Sequence, residues 1–573
     1  MDTVGRLKLL CRNARHDAAV GESMPNPKPP SPVGDSLWPP LLAFLALQLL
    51  LLAPEWWLPG GSWLQPAIAA EALLVMGLLL GLTRREAGWL PPLLGGGLVL
   101  VVALALSDLA AYWSLGRPVN LYLDLPLLAS VEHLLTGALG RVGGWALLLA
   151  GGVLLLGLAA GAGLAMRALM RHHVGPRRRL LGALLVAAAV GVYAMRNEWP
   201  VGLHFAAPAV DRVAAQGERV LATARERESF ARALATPSAP AGPASLQRLQ
   251  GRDVVLAFIE SYGESAVRDP RYAPVVQGAL EQLAADLDAA GLSVVTGLLR
   301  SPVQGGQSWL AHGSLLSGLW LDNQLRYDLF LASPRSSLID DLEAAGHHSV
   351  AVMPALTAAW PQGRLWGYDE VHDYAAIDYA GPPLNWVTMP DQYTWHYFQR
   401  AVREPASEPV FAELALISSH APWTPILPVL PDWSRIGRGE VFGPWADAGP
   451  SPGELWRNAE RVRAHYAQAV AYALRTAGAW SGRYLGEEAL LILLGDHQPA
   501  PLITGEETSR AVPVHVVSAD PSLLAPLREF GFMAGVLPPE APNGRLDDVR
   551  GWLRAAYGGG PERGVAVAPS TAQ

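Results

Sequence analysis

The chain has 573 residues, enough for more than one domain, and a formal net charge of −8, so it lacks the basic excess that a nucleic-acid backbone would require. Its only cysteine is Cys11. That excludes an intramolecular disulfide framework and any CxxC metal site.

Residues 1–36 are polar and Pro-rich, carry Arg6, Lys8, Arg12, Arg15 and Lys28, and are followed by no signal-peptide cleavage pattern, so they read as a cytoplasmic tail. Apolar segments come next, at 37–54, 66–82, 89–106, 145–165 and 180–195. Most approach the roughly 20 apolar residues that span a bilayer. They predict a five-helix transmembrane domain over 37–196. Arg84 and Arg85 lie between spans two and three, and Arg167, Arg171 and Arg177 to Arg179 between spans four and five. The alternate loops are almost free of bases, and 55–65 carries Trp56, Trp57 and Trp63, as an interfacial belt would. Five spans that start inside put everything after Met195 outside the cytoplasm. Within the long outer loop, 120–139 mixes apolar and polar residues and is expected along the outer bilayer surface.

Residues 197–250 form a connector. Val210, Val213, Val220, Leu221, Phe230 and Leu234, interleaved with Arg and Glu, predict an amphipathic helix over 207–234, lying either on the membrane or against a folded domain. The Pro- and Ala-rich stretch 237–244 then ends it. Beyond it, strands are expected at 253–259, 292–299, 348–353, 411–419, 489–494 and 514–518, and helices at 275–290, 336–345 and 455–479. This alternation predicts that 251–573 is an α/β domain with a mostly parallel sheet covered by helices.

Chemistry-bearing residues sit at the ends of these strands. The aliphatic run 489–494 closes with Gly495 and then Asp496 and His497. Strand 253–259 is followed by Glu260. Open α/β sheets place their sites beyond the carboxyl ends of parallel strands, so the three side chains would share one crevice. Asp, Glu and His make an N/O donor set suited to zinc or manganese. Ser308 follows Gly305 and Gly306 at the start of an apolar helical pattern, where backbone donors favour an anion, and a metal beside it would make its hydroxyl a nucleophile. His312 lies one turn further on the same helix face. His420 closes the strand that begins at Phe411. Glu264 reads as a solvated carboxylate.

The order Glu260, Ser308, His420, Asp496-His497 resembles the alkaline phosphatase superfamily, and the multi-span N-terminus resembles its lipoteichoic acid synthase and phosphoglycerol transferase branch, which is sulfatase-like. That resemblance implies one divalent ion, manganese or zinc, held by Glu260, Ser308, Asp496 and His497, with Ser308 also the nucleophile. Ser418-Ser419-His420-Ala421-Pro422-Trp423 looks like the family's Ser/Thr-x-His-x-Pro-aromatic loop, whose His contacts the phosphoryl group. Trp360 and Arg364 are similar to a Trp and an Arg that line a donor headgroup pocket. The loop Met353-Pro354-Ala355-Leu356 departs from the pattern in lacking a His.

The expectation is a multi-pass protein of the inner (plasma) membrane with a periplasmic catalytic domain. Its partners would be a membrane phospholipid donor and an envelope glycan or lipid acceptor. Ser308 would attack the donor phosphodiester, His420 would handle the proton, and Arg364, Trp360 and His312 would hold the headgroup. A hydrolase using water at the same site, or a non-catalytic envelope-binding protein, are the alternatives from other classes.

Overall fold

The computed structural model describes residues 38–58, 67–196, 204–235, 244–358, 360–505 and 509–558. The expected tail 1–36, Trp63 and the linker up to residue 243 lie outside them. Among the described residues, four helices are long and apolar enough to cross a membrane: Trp38–Trp57, Leu90–Leu115, Gly140–Leu169 and Pro176–Met195. The expectation of five such helices is corrected at 66–82. Only Ala70–Gly81 is helical there, 12 residues, or about 18 Å at 1.5 Å per residue. The preceding residues are extended instead, because β1 (Ala67–Ala69) pairs in parallel with β2 (His204–Ala206). At its other end Thr83 bridges Arg171, so the short helix and its lead-in run beside Pro176–Met195. The two backbones touch: a Cβ on Gly182 would meet the Gly77 carbonyl at 2.7 Å.

The 120–139 segment contains a short helix, Leu121–Asp124, and a helical run from Leu128 that breaks at Gly140, where φ is 71°. The amphipathic connector is the helix Pro208–Ala235. It does not lie free on a membrane face but is tied at both ends. Val210 N donates to Glu71 (3.0 Å), Arg212 to Asp108 (2.9 Å) and to Glu55, Gln216 to the Val119 carbonyl (2.6 Å), and Asn120 donates to Thr223 (2.8 Å). Further along, Arg326 donates to Glu226, and Arg335 to the carbonyls of Leu234 (3.0 Å) and Ala233 (2.7 Å). The helix is thus a strut between the apolar helices and the α/β part.

That part is built on a nine-stranded sheet. Its strands are β3 (Asp253–Ile259), β4 (Ser293–Arg300), β5 (His348–Met353), β6 (Glu370–Asp373), β7 (Val410–Leu416), β8 (Ala489–Gly495), β9 (Ala511–Ser518), β10 (Met533–Ala534) and β11 (Gly544–Arg545). The order is β10-β4-β9-β8-β3-β7-β5-β6, with β11 on β4. β8, β3, β7, β5 and β6 are mutually parallel, and β9 runs against both its neighbours. Central strands covered on both faces are largely apolar. In β3, Val255, Ala257 and Ile259 join one core with residues of the helices Ala273–Ala289 and Ala459–Tyr484. Val254, Leu256 and Phe258 point the other way, into a second core with Leu310 and Leu315 of the helix Ser308–Ser317. Each fully buried Leu or Val adds about 1.5–3 kcal/mol, so the parallel centre is a rigid platform for its carboxyl ends.

Candidate active site

Register builds the site. Ile259 is paired with both Gly495 and Leu416, so Glu260 and Asp496 leave adjacent strands at one level. The next segment is drawn to the same place by backbone bonding: Gln304 bridges Gln498, and Gly305 N donates to the Gln498 carbonyl at 2.8 Å. Gly305 (φ 74°), Gly306 (φ 148°) and Gln307 (φ 65°) then turn the chain into the helix that begins at Ser308.

Ser308 Oγ lies 3.2 Å from Glu260 Oε2 and 3.2 Å from His497 Nε2. His497 Nε2 is 3.4 Å from Asp496 Oδ2 and 3.5 Å from Glu260 Oε1. One ligand atom from each of Glu260, Asp496 and His497 lies within 4.8 Å of the others. Supporting bonds aim these atoms. Asp496 Oδ1 accepts from the backbone N–H of Ser261 (2.7 Å) and of His497 (2.6 Å), which leaves Oδ2 for the centre. His497 Nδ1 is 2.9 Å from the Gln498 carbonyl, an acceptor that assigns the proton to Nδ1 and the lone pair to Nε2.

The cluster concentrates negative charge beside an imidazole. Burial opposes the Glu260 charge, but His497, His420 and the Ser261 hydroxyl together hold its carboxyl down at about 2. Burial and then the Glu260 charge push Asp496 up to about 7. Burial lowers His497, yet Asp496 and Glu260 outweigh it and raise its pKa. Two buried carboxylates and an imidazole lone pair aimed at one point fit a divalent ion of the N/O-binding kind.

Around the cluster lies a pocket of about 700 Å³. His420 lines it, stacked on Trp386 with ring centroids 3.8 Å apart, its Nδ1 2.6 Å from the Ala421 carbonyl. His312 lines it as well, stacked on Phe258 at 3.7 Å, with Nδ1 2.8 Å from Glu413 Oε1. Trp360 is part of the wall. Arg364 is not: it lies exposed on the helix Pro361–Trp366, outside the pocket lining. Glu264 stands apart, paired with Arg268 at 3.2 Å.

Sequence reasoning missed Glu413, Tyr368 and Trp386. Glu413 is 1 % exposed in the middle of β7 and accepts from the Tyr368 hydroxyl as well as facing His312. A lone acid within an otherwise apolar strand was the available signal, since a buried carboxylate needs partners. Pro126, from the loop between the apolar helices, closes part of the pocket, and the Gly305 backbone abuts the Ser114 carbonyl at the end of the helix Leu90–Leu115.

No profile of a known protein family matches the chain, and no curated protein matches it. Among solved structures it is similar to the lipoteichoic acid synthase LtaP from Listeria monocytogenes, at 12 % identity and a TM-score of 0.34 over 53 % of this chain and 71 % of that one. It is similar to the C-terminal periplasmic domain of EptC from Escherichia coli, at 14 % identity and a TM-score of 0.35 over 55 % of this chain and 86 % of that one. For the Streptococcus pyogenes phosphoglycerol transferase GacH in complex with sn-glycerol-1-phosphate the values are 12 %, 0.33, 52 % and 74 %.

Proposed function

We propose that the chain is a membrane-anchored, metal-dependent phosphotransferase of the alkaline phosphatase superfamily, which moves a phospho-headgroup from a membrane lipid to an acceptor of the cell envelope. The observation that carries this reading is Ser308 Oγ standing 3.2 Å from both Glu260 and His497 at the start of a helix. Glu260, Asp496, His497 and Ser308 would hold one zinc or manganese ion. When bound, it would lower the pKa of the serine hydroxyl and offset charge on the phosphoryl oxygens.

In the first step Ser308 Oγ, its proton released to solvent, bonds to the donor phosphorus as the P–O bond to the lipid breaks. His420, whose Nδ1 is fixed on the Ala421 carbonyl, supplies a proton to the departing oxygen through Nε2. In the second step it takes one from the acceptor hydroxyl, whose oxygen bonds to phosphorus as the bond from phosphorus to Ser308 Oγ breaks, and Oγ regains its proton from solvent. His312, held by Glu413, contacts the phosphoryl group beside the nucleophile. Arg364 belongs to this reading only as a residue of the outer rim.

The wall supports a lipid donor, since Pro126 lines the pocket and lies between two helices long and apolar enough to cross a membrane. We read the four long apolar helices as crossings of the inner membrane, with the shorter helix Ala70–Gly81 packed beside Pro176–Met195. The basic residues Arg84, Arg85, Arg167, Arg171 and Arg177 to Arg179, at the opposite ends of these helices, support a periplasmic catalytic part.

The test is the full chain in vesicles holding labelled phosphatidylethanolamine or phosphatidylglycerol, supplied with zinc or manganese. Labelled diacylglycerol formed only when a glycan or lipid acceptor is added is the expected result, with none from Ser308→Ala. Release without acceptor assigns a hydrolase instead. Turnover retained by Ser308→Ala overturns the proposal.

A further inference from the structure

A second cleft, of about 490 Å³, lies where the connector helix meets the outer ends of the apolar helices. It shares no lining residue with the Ser308 pocket. Its walls include Leu58, Tyr112 and Ala215, and its charged residues are Glu55, Asp108, Asp211, Arg212 and Arg219.

Most of these charges have partners. Arg212 is committed to Asp108 at 2.9 Å and to Glu55, and Asp211 faces Arg196 at 3.4 Å. Arg219, two turns beyond Arg212 on the same face, is different. Its Nε is buried and has no hydrogen-bond partner among the described residues. A buried N–H without a partner is costly, and the planar guanidinium fork that carries it fits two oxygens of a phosphate. At the other end Glu55 and Asp108 share a single guanidinium, and the Glu55 side chain is 40 % exposed. Asp108 spends Oδ1 on the Val119 N–H (3.0 Å) and Oδ2 on Arg212, so the cleft offers, among the described residues, a cation without an ion-pair partner at one end and a spare Glu55 oxygen at the other, separated by about 10 Å of helix, with apolar walls between.

We propose that this cleft binds the headgroup of a zwitterionic phospholipid, its phosphodiester on Arg219 and its ammonium on Glu55. An anionic glycerol headgroup lacks the ammonium that the carboxylate end recognises, and free phosphate lacks both that group and the acyl chains. The strut helix supplies half the site, so an occupied cleft would brace the tie between the apolar helices and the sheet.

Photo-crosslinking tests this on the full chain in detergent, without reference to turnover. The probe is a phosphatidylethanolamine carrying a diazirine close to its headgroup, and adducts are mapped by peptide mass spectrometry. Expected are adducts within 108–118 and 206–219 that fall at least tenfold in Arg219→Ala and partly recover in Arg219→Lys, whereas any adduct within 306–316 is unchanged. Unlabelled phosphatidylethanolamine should compete at least tenfold better than phosphatidylglycerol, and inorganic phosphate should not compete. The thermal unfolding midpoint of Arg219→Ala, matching wild type, separates lost binding from lost folding; if that midpoint drops, Arg219→Gln is read in its place. Unchanged adduct yield in the folded variant, or equal competition by phosphatidylglycerol or phosphate, overturns the proposal.

Discussion

Gly305→Ala tests whether the nucleophile is set by the end of an apolar helix. A Cβ at residue 305 would sit 1.8 Å from the Ser114 carbonyl oxygen, on a backbone with φ of +74°. The left-handed conformation alone costs a residue with a side chain about 1–2 kcal/mol. Gly251 isolates that cost, because its φ is +76° and nothing lies within 4 Å of a Cβ there. At residue 305 the contact must also open by roughly 1 Å or more before it ceases to be a clash. Ser308 is three residues away on the same turn, and a misplacement of about 1 Å can lower a rate about 100-fold. Gly305→Ala should therefore lose about 100-fold in labelled diacylglycerol release from vesicles. Gly251→Ala should lose only about 1–2 kcal/mol of stability and keep its rate. Equal rates in the two variants would refute the claim that this contact positions Ser308.

Two further outcomes follow from buried charge. His515 is fully buried between Thr296 (2.9 Å) and the Tyr262 hydroxyl (3.0 Å), and burial pushes its pKa down to about 3. The unfolded chain takes up this proton below about pH 6.5 and the folded chain does not, so stability falls as pH falls, by about 1.4 kcal/mol per unit down toward pH 3. Thermal unfolding of the full chain between those limits should show this slope, and His515→Gln should lack one proton's worth of it; identical slopes would contradict the assignment. Arg212→Ala leaves Asp108, whose side chain is 7 % exposed, without its guanidinium. A loss of about 3–5 kcal/mol is expected, read as a lowered Tm in detergent, and an unchanged Tm would show that the pair does not hold the strut.

Much of this architecture was readable beforehand because its strands are covered on both faces. β3 from Val254 to Ile259, β5 from Val350 to Met353 and β8 from Ala489 are continuous apolar runs, and burial on two sides requires that pattern. β6 was not readable: Glu370, Val371, His372 and Asp373 form a short, partly exposed edge strand with no apolar period. The apolar stretch 66–82 has the composition of a spanning helix, but parallel pairing of Ala67 to Ala69 with a segment more than a hundred residues later takes its first turn. No local signal announces that pairing. The nearness of Glu260, Asp496 and His497 follows from strand ends in a parallel sheet. The bonding of 304–305 onto Gln498, which brings Ser308 in, depends on tertiary structure that the glycines only permit. Arg364 is exposed because its six-residue helix turns Gly363 and Trp366 inward, a choice of face too short to read from periodicity.

The central claim is a cation held by this cluster. X-ray anomalous scattering at the zinc edge, on crystals of the full chain grown with zinc, addresses it without any substrate. The account predicts one peak bonded to Glu260, Asp496 and His497 at about 2.0–2.2 Å, with Ser308 Oγ beside it, and its loss in Asp496→Asn. A peak held by other residues, or one that survives Asp496→Asn at full height, would contradict it.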